Sequence, residues 1–362
     1  MTTRAKTPAG IQPAAGTPPS SSGAVLRLGL VFMGTGFVLF LVLGLLGLLM
    51  RLDQSGIFPL SASWFYRIMT LHGSGMVTAN LLAAMGSITA VLSRTVRLSI
   101  RGLWTTFVVY FLGTGFAVLA TLVGGFGAGW TVLHPLPYHP LGAWSLWSAL
   151  AMYVGYLFIA LAYLLWCLIL IVGISKKYGG LRRALAWPFL FSRGRDTSDP
   201  LPRPTEILTT VIALAGIVTV LAGAIYLLPL FGEAAGIIGS VDNLFAKNFL
   251  FLFGHTLVNS NLYLSAGLVY ATLPFYTGRD WKTWWPVALG INLTLILILI
   301  PWPHHLYEDF AQPVPLQMLG EIGSYASAMP VFLVTIRGLS LIYRSAMRWS
   351  VPSTLMALGL WG

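Results

Sequence analysis

Four histidines of this chain lie within or directly after long apolar segments. His72 and His255 lie seven or eight residues into two such segments, and the pair His304-His305 directly follows a third. Neutral imidazole is the commonest nitrogen ligand for copper, iron and zinc in proteins. Ionisable side chains at membrane depth are costly and usually functional. The residue types therefore predict a metal or redox centre, provided that the apolar segments bring these histidines together.

Taken singly, each histidine also has an ordinary structural interpretation. A lone histidine such as His72 is more often a hydrogen-bonded packing residue than a ligand, and His304-His305 alone could cap a segment at the membrane interface. His134 and His139 fall in a polar connection at 125–142, and we interpret them as ordinary loop histidines. Only convergence of several segments at one depth favours a shared centre.

The composition defines the class of protein that carries these histidines. The chain has 362 residues, of which 57% are hydrophobic and 9% charged, whereas a soluble domain averages about 25% charged residues. This composition therefore predicts an integral membrane protein. The single cysteine, Cys167, lies in an apolar segment, which excludes a disulfide framework or a cysteine metal site.

Apolar segments long enough to cross a bilayer, about 20 residues, predict an all-α polytopic transmembrane helix bundle. We expect eight complete spans plus the start of a ninth at 350–362, which is too short to cross, so we expect the chain to be C-terminally incomplete. Residues 1–26 are predicted to form a disordered cytoplasmic tail. The eight spans are 27–50, 64–93, 102–124, 143–174, 207–231, 248–275, 284–303 and 316–342.

The basic residues predict the orientation of the bundle. With the N-terminus in the cytoplasm, all but three of the 21 Lys and Arg residues are cytoplasmic, the exceptions being Arg51, Arg67 and Lys247. The net charge of +11 is thereby explained by topology, and we expect membrane lipid but no nucleic acid as a partner. The same orientation puts all six histidines on the outer side, with the four intramembrane ones at similar depth.

Four motifs carry a resemblance to a known family. They are LLMRLDQSGIFPLSASWFYRIMTLHGSGM (48–76), GAGWTVLHPLP (127–137), FLFGHTLVNSNLY (251–263) and PWPHHLYEDF (301–310). In this order the chain resembles the catalytic subunit I of the haem–copper oxidase superfamily, and most of all its B-type branch, over residues 27–362. The resemblance implies that His72 is an axial ligand of a low-spin haem. It also implies that His255, His304 and His305 bind copper B.

Two adjacent histidines can serve one metal only if the helix ends or distorts, because regular helix directs neighbouring side chains about 100° apart. Pro301 and Pro303 each lack an amide donor and predict such a distortion. Partners should orient the ligand rings. Glu308 and Asp309 are candidates, although both could equally be loop acids that cap the next helix.

One position departs from the oxygen-reducing members of the family. Those members carry a tyrosine one helical turn after the first copper ligand, where this chain has Asn259; Tyr263 lies roughly 12 Å along the helix from His255, too far to substitute. Asparagine can hydrogen-bond but cannot supply an electron. The resemblance therefore favours a nitric oxide reductase with Asn259 and Glu308 near the metals. A divergent oxygen-reducing cytochrome c oxidase, which would also translocate protons, remains the alternative.

The resemblance also implies components outside this sequence. The family's tenth helix, which carries the second low-spin haem ligand and the ligand of the high-spin haem, is absent. A non-catalytic scaffold subunit therefore remains open. A metal or proton transporter that uses the outer histidines is the least favoured alternative. The family implies a redox partner of the subunit II type on the outer face, a cytochrome c or cupredoxin-like electron donor, and a location in a bacterial or archaeal cell membrane. Polar residues that could form its proton path are Ser324, Tyr325 and Ser327.

Overall fold

The computed structural model describes residues 22–192 and 200–361, and within these ranges every regular element is helical. The predicted tail lies outside the described residues up to position 21, but its last part, 22–26, belongs instead to the first helix. The helices are α1 (Ser22–Gln54), α2 (Ala62–Leu92), α3 (Ile100–Val118), α4 (Leu146–Tyr178), α5 (Leu181–Ala184), α6 (Trp187–Phe191), α7 (Pro204–Ala234), α8 (Asn243–Thr277), α9 (Trp285–Leu299), α10 (Val314–Tyr343) and α11 (Val351–Trp361). A π-helical turn, Leu119–Val123, continues α3, and a 3₁₀ helix, Trp302–Leu306, follows α9.

Seven helical segments of the described chain are long and apolar enough to cross a membrane, so the chain is a multi-pass membrane protein. They correspond to seven of the eight predicted spans, with α9 counted together with the turn that follows it. The remaining one, predicted at 248–275, is a continuous helix of 35 residues, α8, but it is not among the seven. Polar residues such as Asn248, Asn259 and Asn261 lower its apolar character. The stretch predicted as the start of a ninth span contains α11, which has only 11 residues.

The helices pack as a bundle in which sequence neighbours pair. Helix α1 runs along α2, α3 along α4, and α9 along α10. Helix α7 is central, because it packs against α4, α8 and α9. The core between them contains large, fully buried side chains such as Trp166, Tyr110 and Phe32. The outer face of α1 is apolar as well, with Phe37 60% and Leu45 65% exposed. An apolar outer face is what a helix in contact with lipid requires.

Three connections meet at one end of the bundle, which we call the histidine end. They are the α3–α4 connection (124–145), the α7–α8 turn (235–242) and the α9–α10 connection (300–313). Tyr138 of the first donates its hydroxyl to the Leu230 carbonyl near the end of α7, at 2.8 Å. Gln312 of the third donates to Asn248 in the first turns of α8, at 2.7 Å. These bonds hold the first connection against the end of α7 and the third against the start of α8, the helix that carries His255.

The opposite end of the bundle carries a basic belt. Arg94 and Arg97 lie in the turn between α2 and α3, and Lys176 and Lys177 lie in the last turn of α4. Lys177 donates to Glu206 in the first turn of α7 at 2.7 Å, and Glu206 is buried. The histidine end and the basic belt therefore lie at opposite ends of the same helices.

Candidate metal centre

Three of the predicted ligands converge at the histidine end. His255 Nδ1 lies 3.1 Å from His305 Nε2, and His304 Nε2 lies 3.0 Å from the same His305 nitrogen. The three rings meet nearly edge to face, with centroid separations between 4.2 and 5.3 Å. One nitrogen from each ring lies within 4.8 Å of the others, which is close enough to share one metal ion.

The adjacent pair reaches one point because the helix ends before it. Helix α9 stops at Leu299, and residues 302–306 form a 3₁₀ helix, as the two prolines predicted. Helix α10 packs directly on this turn. A Cβ atom added at Gly320 would overlap the His304 amide nitrogen and lie 2.7 Å from the Pro303 carbonyl carbon. Only glycine permits this approach, so Gly320 helps to determine where His304 lies.

Ser324 orients the His304 ring. Its hydroxyl donates to the Gly320 carbonyl at 2.7 Å, so its oxygen is left to accept a hydrogen bond from His304 Nδ1, with which it is in contact. With the proton on Nδ1, the Nε2 atom keeps a free electron pair and faces the other two imidazoles. This is the arrangement that metal-ligating histidines usually have. Sequence analysis placed Ser324 in a proton path and missed this role, because no short-range motif links residues on different helices.

The connection that follows the histidine pair is tied to α8 by two polar contacts. Lys247 Nζ lies 2.5 Å from Asp309 Oδ2, and the Gln312–Asn248 bond lies beside it. The hydrogen bond from Lys247 holds the pKa of Asp309 below its usual value. His255 lies two turns further along α8. We call the two contacts the polar clamp, because they hold the segment of His304 and His305 against the helix of His255.

Asn259 and Glu308 have different surroundings. The Asn259 amide nitrogen donates to the His255 carbonyl at 2.8 Å and lies 3.3 Å from His255 Nε2, the ring nitrogen turned away from the other imidazoles. Asn259 is therefore positioned to hold the His255 ring. Glu308 is exposed and accepts a hydrogen bond from Tyr307 at 3.1 Å. No hydrogen bond in the described structure joins Glu308 to the three histidines.

His72 lies outside this cluster, on α2 where it packs against α1. Its Nδ1 atom is 2.8 Å from the Leu43 carbonyl oxygen, which can only accept, so Nδ1 carries the proton and Nε2 is free to bind. Gly47 of α1 lies under the ring: a Cβ atom there would be 2.7 Å from His72 Cε1. A ring fixed through Nδ1 with a free Nε2 suits an axial ligand of haem iron. Nearby, the buried Nε of Arg67 has no hydrogen-bond partner among the described residues.

The residues predicted for the proton path do not form one chain of hydrogen bonds. Ser327 donates to the Ser324 carbonyl at 2.6 Å within α10, a common use of a helical serine. Tyr325 is 78% exposed on the same helix. Ser324 itself is engaged with Gly320 and His304. In the described structure the two serine hydroxyl groups therefore bond to the helix backbone and, at Ser324, to the metal centre.

The donor set of the cluster fits copper. Neutral imidazole suits copper, iron and zinc, and three such ligands leave a coordination position open for a small molecule. Each bond to a first-row metal is about 2.0–2.1 Å long, so tetrahedral ligand atoms lie about 3.3 Å apart. The two nitrogen separations of 3.0 and 3.1 Å are within a few tenths of that value.

The family comparison agrees with the geometry of the histidine end. A family model described as cytochrome c and quinol oxidase polypeptide I matches residues 27–361. The chain belongs to the haem–copper oxidase superfamily, as a subunit I. A comparison with curated proteins returned no match. Membership identifies the chain as part of an oxidoreductase whose relatives bind haem and copper, and the cluster of His255, His304 and His305 is where this subunit I offers ligands for a metal.

Sequence reasoning also missed a second cluster at the histidine end of this subunit I. His134 lies in the connection but is not the ordinary loop histidine that the sequence indicates, because its side chain is only 1% exposed and contacts Glu233 of α7. His139 approaches the same carboxylate. The spacing His-x4-His in the connection was visible in the sequence, but its acidic partner is nearly 100 residues away in the chain.

Proposed function

We propose that this chain is the catalytic subunit of a respiratory reductase that converts nitric oxide to nitrous oxide. The observation that carries the proposal is Asn259, which contacts His255 Nε2 at 3.3 Å in the position where oxygen-reducing relatives have a tyrosine. The balanced reaction joins two NO molecules with two electrons and two protons to give N2O and water. It requires no electron from a side chain, so an asparagine at this position does not prevent it.

In this proposal His255, His304 and His305 hold copper B. The bound copper supplies a one-electron couple and an open coordination position for a diatomic molecule. The protein supplies the geometry. Ser324 keeps the His304 Nε2 atom unprotonated, Asn259 restrains the His255 ring, and Phe251 stacks on His305 with ring centroids 5.5 Å apart. These contacts limit the reorientation of the ligands when the metal changes its oxidation state.

His72 is proposed as an axial ligand of the low-spin haem, which passes electrons towards the copper. The Leu43 carbonyl accepts from Nδ1 and fixes the ring, so that Nε2 would be the atom that holds the haem iron. Arg67 lies on the same helix, nearer its start, and its guanidinium group could neutralise a haem propionate. A high-spin haem is the third proposed cofactor, and none of the histidines assigned above is proposed as its ligand.

The topology supports a proposed orientation and partner. The basic belt is proposed to face the cytoplasm, following the usual excess of Lys and Arg on that side. The N-terminus would then be cytoplasmic, and the histidine end would face a subunit II that accepts electrons from a cytochrome c or a cupredoxin-like donor. Protons would enter from the basic side, and we retain Ser324, Tyr325 and Ser327 as a proposed part of their path.

Reduction of oxygen to water is the second candidate function. It is favoured by the family itself, whose description names cytochrome c and quinol oxidases. It would need another source for the electron and proton that the missing tyrosine supplies. Tyr307 is engaged with Glu308, and no tyrosine of the described chain hydrogen-bonds to the three histidines.

The test compares substrate consumption by the purified full-length complex under a reducing donor. We expect NO consumption well above oxygen consumption, together with haem absorbance and bound copper, and loss of NO turnover in His255→Ala. Oxygen turnover that exceeds NO turnover would overturn the proposed substrate in favour of the second candidate. Absence of copper and of both activities would indicate the scaffold alternative.

A further inference from the structure

The second cluster at the histidine end has the composition of a metal site. His134 and His139 from the α3–α4 connection and Glu233 from the last turns of α7 each offer one ligand atom, and these atoms lie within 4.8 Å of one another. The cluster shares no residue with the proposed copper centre. His134 is buried, whereas the His139 side chain is 43% exposed, so the cluster opens to the surface on one side.

The hydrogen bonds of His134 leave one nitrogen available as a ligand. Its Nδ1 atom lies 2.6 Å from Asn243 Oδ1 at the start of α8. Because that oxygen accepts, the proton is on Nδ1 and Nε2 carries a free electron pair. The Nε2 atom points at Glu233, 3.1 Å from Oε2 and 3.4 Å from Oε1. A ligating histidine usually donates its far N–H to an oxygen acceptor such as a carboxylate, a backbone carbonyl or water, and the Asn243 amide oxygen occupies that position here.

The carboxylate is also held in place from outside. The Val241 amide donates to Glu233 Oε2 at 2.7 Å, which orients the group within the α7–α8 turn. His139 Nε2 lies 3.5 Å from the other oxygen, Oε1. That separation is beyond the usual 2.7–3.2 Å of a direct N–H···O bond. A tetrahedral zinc with bonds of about 2.0–2.1 Å separates its ligand atoms by about 3.3 Å. Glu233 Oε1 lies 3.4 Å from His134 Nε2 and 3.5 Å from His139 Nε2, both within a few tenths of that value.

We propose that His134, His139 and Glu233 bind a Zn²⁺ ion. Two imidazoles and one carboxylate form a recognised three-ligand zinc set that leaves the fourth position to water, and the exposed side at His139 gives that water access. The ion would join the α3–α4 connection to the end of α7. Its removal would loosen the contact between these two parts of the histidine end.

The test measures zinc binding to the purified, copper-loaded protein in detergent. Binding is measured by calorimetric titration, and the metal content is determined after dialysis against buffered zinc. We expect one zinc per chain and a higher unfolding temperature with zinc present. His139→Ala should weaken binding at least about tenfold, since loss of outer partners alone costs about 10- to 100-fold. His139 is at the surface, so its truncation should leave the fold intact. Glu233→Gln, which keeps the shape of the side chain, should weaken binding as well.

Two control variants separate this site from others. His255→Ala opens the proposed copper centre and should keep zinc binding at the second cluster, so failure of the copper assignment would not affect the result. Glu321→Gln removes an exposed carboxylate of α10 and should also bind zinc normally. Equal zinc affinity in wild type and His139→Ala would overturn the proposal. Loss of zinc binding in His255→Ala alone would also overturn it. An unfolding temperature that zinc does not change would do the same, and would indicate that the cluster is a direct imidazole–carboxylate pair.

Discussion

Ser324 and His304 are paired through their side chains: the serine hydroxyl donates to the Gly320 carbonyl at 2.7 Å, and its oxygen is in contact with His304 Nδ1 and can accept the proton of that nitrogen. The same logic operates at His72, where a backbone carbonyl takes the Nδ1 proton. At His72 the partner is a carbonyl oxygen that can only accept, and at His304 the partner is a hydroxyl whose own hydrogen is donated to Gly320. These rings are therefore prepared for a metal by contacts within the bundle.

His255→Ala should abolish copper binding and NO turnover while the low-spin haem spectrum persists. The substitution removes one of three copper ligands but leaves His72 and its bond to Leu43 untouched. Metal analysis and a reduced-minus-oxidised optical spectrum of the same preparation check both halves. Copper content equal to wild type would contradict the ligand assignment.

Asn259→Tyr should not by itself create an efficient oxygen reductase. The new phenol would replace the amide that restrains the His255 ring, and the covalent link made in oxygen-reducing relatives needs matching geometry. Oxygen consumption with a polarographic electrode should stay near the wild-type value. A robust gain of oxygen turnover would show that this position alone decides the substrate.

Gly320→Ala should lower copper occupancy several-fold without changing the low-spin haem spectrum. The added methyl group would overlap the backbone of His304, and backbone cannot move aside as cheaply as a side-chain end. The matched control is Gly34→Ala on α1, where a Cβ atom would meet nothing within 4 Å. Normal copper occupancy in Gly320→Ala would show that the turn tolerates displacement.

Gly47→Ala should have the opposite pattern of effects to Gly320→Ala, with the haem site disturbed and the copper site intact. Its methyl group would press on the His72 ring and break the bond to Leu43, so the low-spin haem should be lost or shifted in its spectrum while copper remains. Gly44→Ala, one turn earlier on the same helix and in open space, is the control. An unchanged haem spectrum in Gly47→Ala would argue against His72 as a ligand.

The Lys247–Asp309 contact should give a pH-dependent contribution to stability. The pKa of Asp309 is lowered in the folded protein, so the contribution is complete above the unfolded pKa of about 3.9 and is lost as the pH falls through the lower folded value. The difference in unfolding temperature between wild type and Asp309→Asn should therefore be constant near neutral pH and vanish in acid. A difference that persists at pH values well below that window would contradict the prediction.

Much of this arrangement could be predicted from sequence because it depends on local signals. Apolar length marks most of the spans, and Pro301 and Pro303 mark the turn that brings His304 and His305 together. Apolar length is a poor signal for helix α8, because its asparagines and Lys247 lower its hydropathy although it is a continuous helix. Among these polar residues, Asn259 contacts His255, and Lys247 and Asn248 form the polar clamp.

The partners of the histidines could not be predicted, because they depend on how distant helices are rotated against each other. Ser324 reaches His304 only because Gly320 lets α10 approach the turn. His134 was interpreted as a loop residue since nothing near it in sequence indicates burial. Its partners, Glu233 and Asn243, come from α7 and α8, and only the packing of the α3–α4 connection onto the α7–α8 turn brings them to it.

The origin of the three nitrogen donors has a consequence for biogenesis. Two of them come from one short turn and the third from α8, fifty residues earlier. The turn can present a two-coordinate chelate as soon as α9 is inserted, but the third donor arrives only when α8 has docked beside it. A metal ion delivered before that docking would find only two of the three ligands and would bind more weakly. The order of helix assembly therefore determines when the ion can be retained.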